Sequence, residues 1–255
     1  MTDTLIGTHL LRLRDAILNL HYLEFEPAVR PKDRKPSAIR KMLREEGRDW
    51  PAWAATMTGS LRLDNLRSSI ETVEEEDIPG DVVETGVWRG GAMIYACAVL
   101  DALGLPAEDR KVWLCDSFEG LPPPDTDKWP QDTGSTRHLR ENFKVSLEEV
   151  LANFNRFRVP LERAEFLKGW FEDTIPGPLA DRDIAILRLD GDMYGSTMHV
   201  LRSLYDRVTP GGFIIIDDWT ASKETKLAVQ DFWKERGVQP DVTKVDWTCV
   251  FWRKQ

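Results

Sequence analysis

The spacing of hydrophobic residues along the chain changes near residue 80. Before that point apolar residues recur every three or four positions, which predicts amphipathic helices over 4–23, 37–47 and 53–74. A basic, proline-rich stretch at 27–36 separates the first two helices and indicates an exposed connection. We interpret residues 1–78 as a helical region that packs against the rest of the chain, mediates self-association, or covers a site.

After Gly80, short apolar strands alternate with helical patterns. Strands that alternate with helices predict a parallel sheet covered on both faces, an α/β doubly wound fold over residues 79–255. Continuous apolar runs such as 213–216 fit strands buried on both sides. The predicted strands are 81–85, 111–115, 165–167, 184–189, 212–216 and 244–252, and the predicted helices are about 92–103, 146–155 and 222–236.

Composition and charge exclude several classes of protein. The chain has 255 residues, enough for one full hydrophobic core, and 34 basic against 43 acidic residues, so 34 − 43 gives a net charge of −9. This charge argues against a nucleic acid or an anionic membrane as the main partner. No apolar run approaches the roughly 20 residues of a membrane helix, and the three cysteines form neither a zinc pattern nor a disulfide framework. We therefore expect a cytoplasmic protein.

The first predicted strand runs into a glycine-rich turn, residues 86–91. In an open α/β sheet, ligands bind beyond the carboxyl ends of the strands, and glycine lets the backbone approach them closely. The turn lacks the G-x-G-x-x-G spacing of dinucleotide-binding proteins, so taken alone it could be a tight strand-to-helix connection. Asp116 ends the next strand, where a carboxylate can accept both hydroxyls of a ribose.

Glu84 lies just before this turn, on a strand expected to be buried. A buried carboxylate needs a partner, which would be a ligand ammonium group or the neighbouring Arg89. A ribose together with an ammonium group is the chemical outline of S-adenosylmethionine rather than of a nicotinamide dinucleotide.

Four aspartates follow the fourth and fifth strands of the sheet. Asp190 and Asp192 follow one strand, and Asp217 and Asp218 follow the other, one strand–helix–strand unit later. We expect these strands to be adjacent, which would bring the carboxylates together. Such a cluster repels itself unless a cation compensates it, and oxygen ligands suit Mg²⁺. Any single aspartate could equally be a solvated loop residue or a helix cap.

Aromatic residues and one histidine stand near the predicted site. A stretch rich in Pro, Asp and Thr opens a predicted lid at 121–142, which contains Trp129 and His138 as candidates for contact with an acceptor. Trp170 follows a strand end, where an indole can stack on a flat base. Trp247 is a candidate for the acceptor pocket or for core packing.

Five motifs make the sequence similar to the macrocin O-methyltransferase family of antibiotic-sugar methyltransferases, which includes relatives acting on mycinamicin and novobiocin. The resemblance extends from about residue 49 to 253 and implies a class I methyltransferase fold, S-adenosylmethionine, a magnesium ion, a sugar-containing small-molecule acceptor, and a homo-oligomer. The motifs are E-T-G-V-W-R-G-G (84–91), D-S-F-E-G-L-P (116–122), F-L-K-G-W-F-E-D-T (166–174), R-L-D-G-D-M-Y-G-S-T-M (188–198) and P-G-G-F-I-I-I-D-D (210–218).

The resemblance also implies a role for each matching position. Asp190, Asp217 and Asp218 match the metal ligands, Asp192 matches the proposed general base, and Asp190 and Asp192 together are the predicted catalytic pair. The positions that match cofactor-binding residues are Thr56, Met57, Glu84, Gly86, Arg89, Gly90, Gly91, Asp116, Ser117, Ser146, Gly169 and Trp170.

The sequence departs from the macrolide enzymes of this family at the acceptor. It reads S-T-R-H-L-R-E-N at 135–142 where they carry L-H-Q-Y-N, and Trp-Thr-Cys at 247–249 where they carry R-Q-G. The resemblance therefore supports the chemistry better than any one substrate. The alternatives are a metal-dependent methyltransferase for catechol-like phenols, a binding protein that keeps only the cofactor fold, and an oxidoreductase, which the glycine spacing disfavours.

Overall fold

The chain is described by a computed structural model that covers residues 2–30 and 33–255. Three helices precede the sheet, and strands and helices then alternate to the C-terminus. Pro31 and Lys32, in the connection predicted at 27–36, lie outside the described residues, as does Met1. The elements are α1 (Thr2–Ile17), α2 (Ser37–Glu45), α3 (Ser60–Glu75), β1 (Asp81–Thr85), α4 (Gly91–Ala102), β2 (Val112–Asp116), α5 (Leu147–Phe157), β3 (Ala164–Lys168), α6 (Phe171–Thr174), β4 (Ile184–Leu189), α7 (Tyr194–Leu204), β5 (Val208–Ile216), α8 (Lys223–Arg236), β6 (Thr243–Lys244) and β7 (Val250–Arg253).

These strands form one seven-stranded sheet in the order β3-β2-β1-β4-β5-β7-β6. Strands β1 to β5 are parallel, and β7 is antiparallel to both of its neighbours. The chain reverses its direction across the sheet between β1 and β4, which makes the crevice beyond these two strand ends the expected ligand site. The predicted α/β doubly wound architecture is confirmed.

Successive strand residues divide between two hydrophobic layers because side chains alternate across a sheet. Val82 and Ile186 belong to one cluster with Leu66 of α3 and Ile94 of α4. The residues that follow them in the strands, Val83 and Leu187, belong to a second cluster with residues of α7 and α8. Burial on both faces explains why β1 and β4 are buried along their whole length.

The N-terminal helices share the first of these hydrophobic layers. Leu10 and Ile17 of α1 and Leu63 of α3 are buried in the same cluster as Ile94 of α4. The Ala55 amide donates to the Ile17 carbonyl at 2.9 Å, and the Gly91 amide donates to the Ala55 carbonyl at 2.9 Å. The segment between α2 and α3 is thus held against the start of α4, beside the end of β1.

Some element boundaries differ from the sequence prediction. The first helix ends at Ile17 instead of residue 23, and the third begins at Ser60 instead of residue 53. The backbone over 53–59 instead forms an irregular segment that contacts α4. The apolar residues of this segment are spaced as they are because they contact the hydrophobic core, and they do not form a helix. The final segment predicted at 244–252 is two strands, β6 and β7, joined by a turn. Among the described residues, no helix combines the length and apolar character needed to cross a membrane.

Candidate active site

Two adjoining cavities open beyond the carboxyl ends of the parallel strands. The first has a volume of about 260 Å³ and the second about 320 Å³. The residues that line both cavities are Met57, Trp88, Phe143, Asp190 and Asp192. The two cavities therefore share a boundary, and molecules bound in them would lie next to each other.

The first cavity contains the predicted ribose and base positions. Gly86 lies at the end of β1, Asp116 at the end of β2, and Gly169 and Trp170 follow β3, all of them lining this cavity together with Ser117. Asp116 accepts hydrogen bonds from the amides of residues 87 and 118 at 2.7 and 2.9 Å, which fix the direction of its carboxylate. Its burial raises the pKa of this carboxyl group above its usual value.

The turn after β1 holds a bulky residue in an unusual backbone conformation. Trp88 has a φ of 48°, in the left-handed region that non-glycine residues seldom adopt. Its indole nitrogen donates to the Asn142 carbonyl at 2.8 Å, and its ring lies 4.4 Å from the Arg89 guanidinium carbon. Strained backbone of this kind is common at functional sites. Here it places an indole where the two cavities meet.

Glu84 pairs with Arg188 and not with Arg89. The two residues are opposite each other in the β1–β4 register, and Arg188 donates to the Glu84 carboxylate. Of the two partners expected for Glu84, a ligand ammonium group or Arg89, the second is wrong, because Arg89 pairs with Glu149 at 2.9 Å and lines neither cavity. Burial raises the pKa of Glu84 to about 8. Its second oxygen, Oε2, is buried and has no hydrogen-bond partner, which fits a cationic ligand group.

Three aspartates at the ends of β4 and β5 converge in the second cavity. The expectation that these strands are adjacent is confirmed, since Leu189 lies opposite Ile216 in the parallel pair. One carboxylate oxygen from each of Asp190, Asp217 and Asp218 lies within 4.8 Å of the other two. This is the spacing at which oxygen ligands can share one hard cation.

Two arginines donate hydrogen bonds to the Asp217 carboxylate and neutralise its charge. Arg188 donates to one oxygen of Asp217, and Arg62 of α3 donates to the other at 2.5 Å. Burial opposes ionisation, but these two guanidinium groups outweigh it and lower the pKa of Asp217. Arg62 also contacts Asp246, with 2.9 Å between Nε and the carboxylate.

Asp218 is the least compensated member of the cluster. Its Oδ2 is buried without a hydrogen-bond partner. Burial, and then the negative charges of Asp192 and Asp190, raise its pKa well above the usual value. An unpartnered carboxylate oxygen among like charges is the feature expected of a ligand that awaits a cation, so the residues present fit Mg²⁺.

Asp192 is one of the residues that line both cavities. Its φ of 62° turns the chain between β4 and α7, and its carbonyl accepts the Ser222 hydroxyl at 2.9 Å. Burial, and then the charge of Asp190, raise the pKa of Asp192 to about 7. The Arg137 guanidinium lies 3.6 Å from its carboxylate. A carboxyl group with a pKa near neutrality can exchange a proton with a substrate.

The predicted lid at 121–142 contacts the start of α7 through one buried acid. The Asp132 carboxylate accepts the amides of Tyr194 and Gly195, both at 2.9 Å, and so caps this helix from a distant segment. Trp129 packs over Gly195, where a Cβ would lie 2.6 Å from the indole Cδ1. The lid thereby closes over the residues next to Asp192.

The other predicted residues divide between the cavities and the scaffold. Thr56 and Trp247 line the second cavity, and Met57 lines both. Ser146 caps α5 by accepting the Glu149 amide at 3.3 Å, and it lines neither cavity. Gly90 and Gly91 form the start of α4 without lining either cavity. Their predicted contacts with a cofactor remain predictions.

Sequence inspection missed the arginines of the site. Arg188 interrupts an otherwise apolar strand, I-A-I-L-R-L, and this interruption was a usable signal. Arg62 gave no local signal, because its partner Asp217 is distant in the chain and the two meet only when α3 packs across the sheet. Asp132 gave none for the same reason.

The fold and the site define a class I S-adenosylmethionine-dependent methyltransferase. The family model described as Macrocin-O-methyltransferase (TylF) matches residues 11–254. The chain therefore belongs to the macrocin O-methyltransferase family and is an S-adenosylmethionine-dependent O-methyltransferase, as its motifs indicated.

Similar proteins of established name extend over nearly the whole chain. One from Streptomyces olivaceus, an 8-demethyl-8-(2,3-dimethoxy-alpha-L-rhamnosyl)-tetracenomycin-C 4'-O-methyltransferase, is 42% identical over 99% of this chain and 95% of its own length. Mycinamicin III 3''-O-methyltransferase of Micromonospora griseorubida is 42% identical over 86% of this chain and 85% of its own. The structure of the O-methyltransferase NovP superposes with a TM-score of 0.89 at 38% identity, covering 98% of this chain and 99% of that one.

Proposed function

We propose that the protein transfers a methyl group from S-adenosylmethionine to a sugar hydroxyl of a glycosylated natural product, with a bound Mg²⁺ ion. The observation that carries the proposal is the convergence of Asp190, Asp217 and Asp218 within 4.8 Å beside the cavity that contains Asp116. A named relative supports the acceptor class, since the enzyme from Streptomyces olivaceus is named for a rhamnosyl-bearing substrate.

The donor is assigned to the first cavity. Asp116 is oriented to accept ribose hydroxyls, and Trp170 offers an indole face for the adenine. The methionine part would extend past the shared boundary to Glu84, which lines the second cavity, and the unpaired Oε2 of Glu84 would accept a hydrogen bond from its ammonium group. This arrangement directs the sulfonium methyl group toward the wall shared by the two cavities.

The acceptor is assigned to the second cavity, next to the aspartate cluster. Asp190, Asp217 and Asp218 would hold the metal, which supplies positive charge that favours the deprotonated form of the acceptor hydroxyl. The acceptor oxygen attacks the methyl carbon as the carbon–sulfur bond breaks, and S-adenosylhomocysteine leaves. Asp192 takes the proton of the hydroxyl, a contribution of roughly 10²–10⁴-fold to the rate.

A phenolic acceptor is the second candidate. A metal ion held by the aspartate cluster, together with Asp192 as the base, would act on a catechol hydroxyl in the same way as on a sugar hydroxyl. The relatives favour a sugar, because the name of the Streptomyces olivaceus enzyme gives a rhamnosyl-bearing molecule as its substrate.

We also propose that the chain assembles into a homo-oligomer through its N-terminal segment. Tyr22 and Phe25 in this segment are 64% and 68% exposed, and Leu5 of α1 is 70% exposed. Several large exposed apolar side chains within one segment are a feature of interaction surfaces.

The test is transfer of a labelled methyl group from S-adenosylmethionine to a panel of aryl α-L-rhamnosides, with catechol as the phenolic comparison. Asp192→Asn should lower kcat by roughly 10²–10⁴-fold while the Kd for S-adenosylhomocysteine, measured by calorimetry, changes little. Asp181→Asn removes an exposed aspartate that lines neither cavity and should behave as wild type. Transfer to catechol and not to any glycoside would favour the second candidate, and unchanged kcat in Asp192→Asn would contradict the assigned base.

A further inference from the structure

The mouth of the second cavity combines cationic and aromatic side chains. Its outer lining includes Arg48, Arg137 and Arg140 with Trp50, Phe143 and Trp247. The base of the same cavity is formed by the aspartate cluster and Glu84, with Arg62 and Arg188 engaged by those acids. The cavity therefore has an acidic base and a cationic, aromatic mouth.

The aromatic rings at the mouth are held in place. The Trp247 indole nitrogen donates to the Glu46 carbonyl at 2.8 Å, which fixes the orientation of its ring. Trp50 and Phe143 meet edge to face with their centroids 5.4 Å apart. Fixed rings at the entrance of a pocket present flat apolar surface to a flat ligand.

The guanidinium groups lie against these same rings. The Arg48 guanidinium carbon is 5.3 Å from the Trp247 ring centroid, and that of Arg140 is 5.8 Å from the Phe143 centroid. Arg48 has one carboxylate near it, Glu46 at 3.4 Å. Arg140 is exposed, and its charge acts on Asp192 without a direct ion pair between these two described residues. Its charge is thus available to a ligand.

The positive charge at the mouth of the second cavity is opposite in sign to the net charge of the protein. The chain carries a net charge of −9, so the exposed guanidinium groups of Arg48 and Arg140 oppose the general field and attract anions to one place. Arg137, in contrast, is engaged by Asp192 and Glu224. At the base of the cavity the guanidinium groups of Arg62 and Arg188 are already engaged by acids. An anionic group of the acceptor would meet unengaged guanidinium groups at the mouth, with the sugar hydroxyl directed inward.

We propose that the acceptor carries an anionic group next to a flat ring, and that Arg48 and Arg140 bind this group while Trp247 and Phe143 pack on the ring. This inference rests on the function proposed above and specifies its substrate class. The anion has two possible sources with the same chemistry: an acidic group on an aromatic aglycone, or the diphosphate of a nucleotide-linked sugar.

Binding is measured by calorimetry in the presence of S-adenosylhomocysteine and Mg²⁺, so that the result does not depend on turnover. The probes are 4-carboxyphenyl α-L-rhamnoside, the neutral 4-nitrophenyl α-L-rhamnoside, and a nucleoside diphosphate rhamnose. An anionic probe should bind more tightly than the neutral one, and added NaCl should weaken only the anionic probes. Which anionic probe binds more tightly identifies the source of the charge.

The variants Arg140→Gln and Arg48→Gln should each raise the Kd for the anionic probes by roughly three- to tenfold and leave the neutral probe unchanged. Arg207→Gln is the matched control, because it removes an exposed arginine that lines neither cavity. Both site arginines are exposed, so the variants should fold, and the salt dependence of the wild type gives an independent measurement.

The outcomes separate this proposal from the proposed function. Equal affinity for charged and neutral probes, with no effect of salt or of either arginine variant, would overturn the anionic acceptor even if both glycosides are methylated. Tighter, salt-sensitive binding of an anionic probe supports it. If that binding occurs and no rhamnoside is methylated, the proposed sugar methylation fails and the anion-binding mouth stands.

Discussion

The contact between the lid and α7 depends on one carboxylate, and replacing it gives a quantitative test of the architecture. In Asp132→Ala the amides of Tyr194 and Gly195 lose their shared acceptor. Loss of a helix N-cap destabilises a protein by about 0.5–2 kcal/mol, and a buried amide left without a partner costs about 1–3 kcal/mol. These terms overlap, so the free energy of unfolding should fall by about 2–3 kcal/mol.

A second variant, Asp132→Asn, separates the effect of the negative charge from the effect of the hydrogen-bond acceptor. Asp132→Asn keeps one carbonyl oxygen as an acceptor but loses the negative charge that favours a helix N-terminus, a term of about 0.3–1 kcal/mol, rising to about 2 kcal/mol when partly buried. We therefore expect a loss near 1 kcal/mol for this variant. Asp127→Ala is the matched control, since Asp127 is an exposed acid in the same segment.

The assay is urea denaturation followed by circular dichroism, together with amide hydrogen exchange over residues 121–142. Exchange in this lid should accelerate in Asp132→Ala, and the KM for the acceptor should rise, because Arg137 and Arg140 of the same lid line the second cavity. If Asp132→Ala unfolds and exchanges like Asp127→Ala, the buried carboxylate does not hold the lid and the reasoning is refuted.

Three further predictions concern other contacts of the site and the scaffold. Gly195→Ala places a Cβ 2.6 Å from the Trp129 indole, and both residues line the first cavity, so tryptophan fluorescence should change and the KM for S-adenosylmethionine should rise; an unaltered spectrum and KM would contradict this packing. Arg188→Met leaves the buried Glu84 without its ion-pair partner and Asp217 with Arg62 alone and should lower the free energy of unfolding by about 3–5 kcal/mol, whereas a loss below about 1 kcal/mol in urea denaturation would count against the network. Burial opposes ionisation of Glu26, but Arg44 and the Trp53 amide outweigh it and lower its pKa below the usual 4.5. The stability difference between wild type and Glu26→Gln should then be full above about pH 4.5 and shrink as pH falls through the folded-state pKa; a difference constant from pH 3 to 7 would exclude this contribution.

Local patterns in the sequence were sufficient to predict the sheet and the acid cluster. The apolar run before Asp217 identifies a strand buried on both faces, and the same argument applies before Asp190. Because the carboxyl ends of adjacent parallel strands lie at one edge, residues that directly follow such strands meet in the fold. The position of the aspartates therefore follows from strand assignment alone.

The partners of these acids depend on packing between distant segments. Arg62 reaches Asp217 because α3 packs across the sheet, and Asp132 reaches α7 because the lid folds back over it. Neither contact has a period or a motif in the sequence. The assignment of 53–59 to a helix failed for a related reason: apolar residues in an irregular segment that contacts α4 mimic helical spacing.

The central claim is that the aspartates at the ends of β4 and β5 bind a divalent cation required for methyl transfer. The direct measurement is the single-turnover rate of methyl transfer to an accepted glycoside, after removal of metals with EDTA and again after addition of Mg²⁺, for wild type and Asp218→Asn. We predict that EDTA abolishes the wild-type rate, that Mg²⁺ restores it, and that Asp218→Asn needs a much higher Mg²⁺ concentration for the same rate. A wild-type rate unaffected by EDTA would contradict the claim.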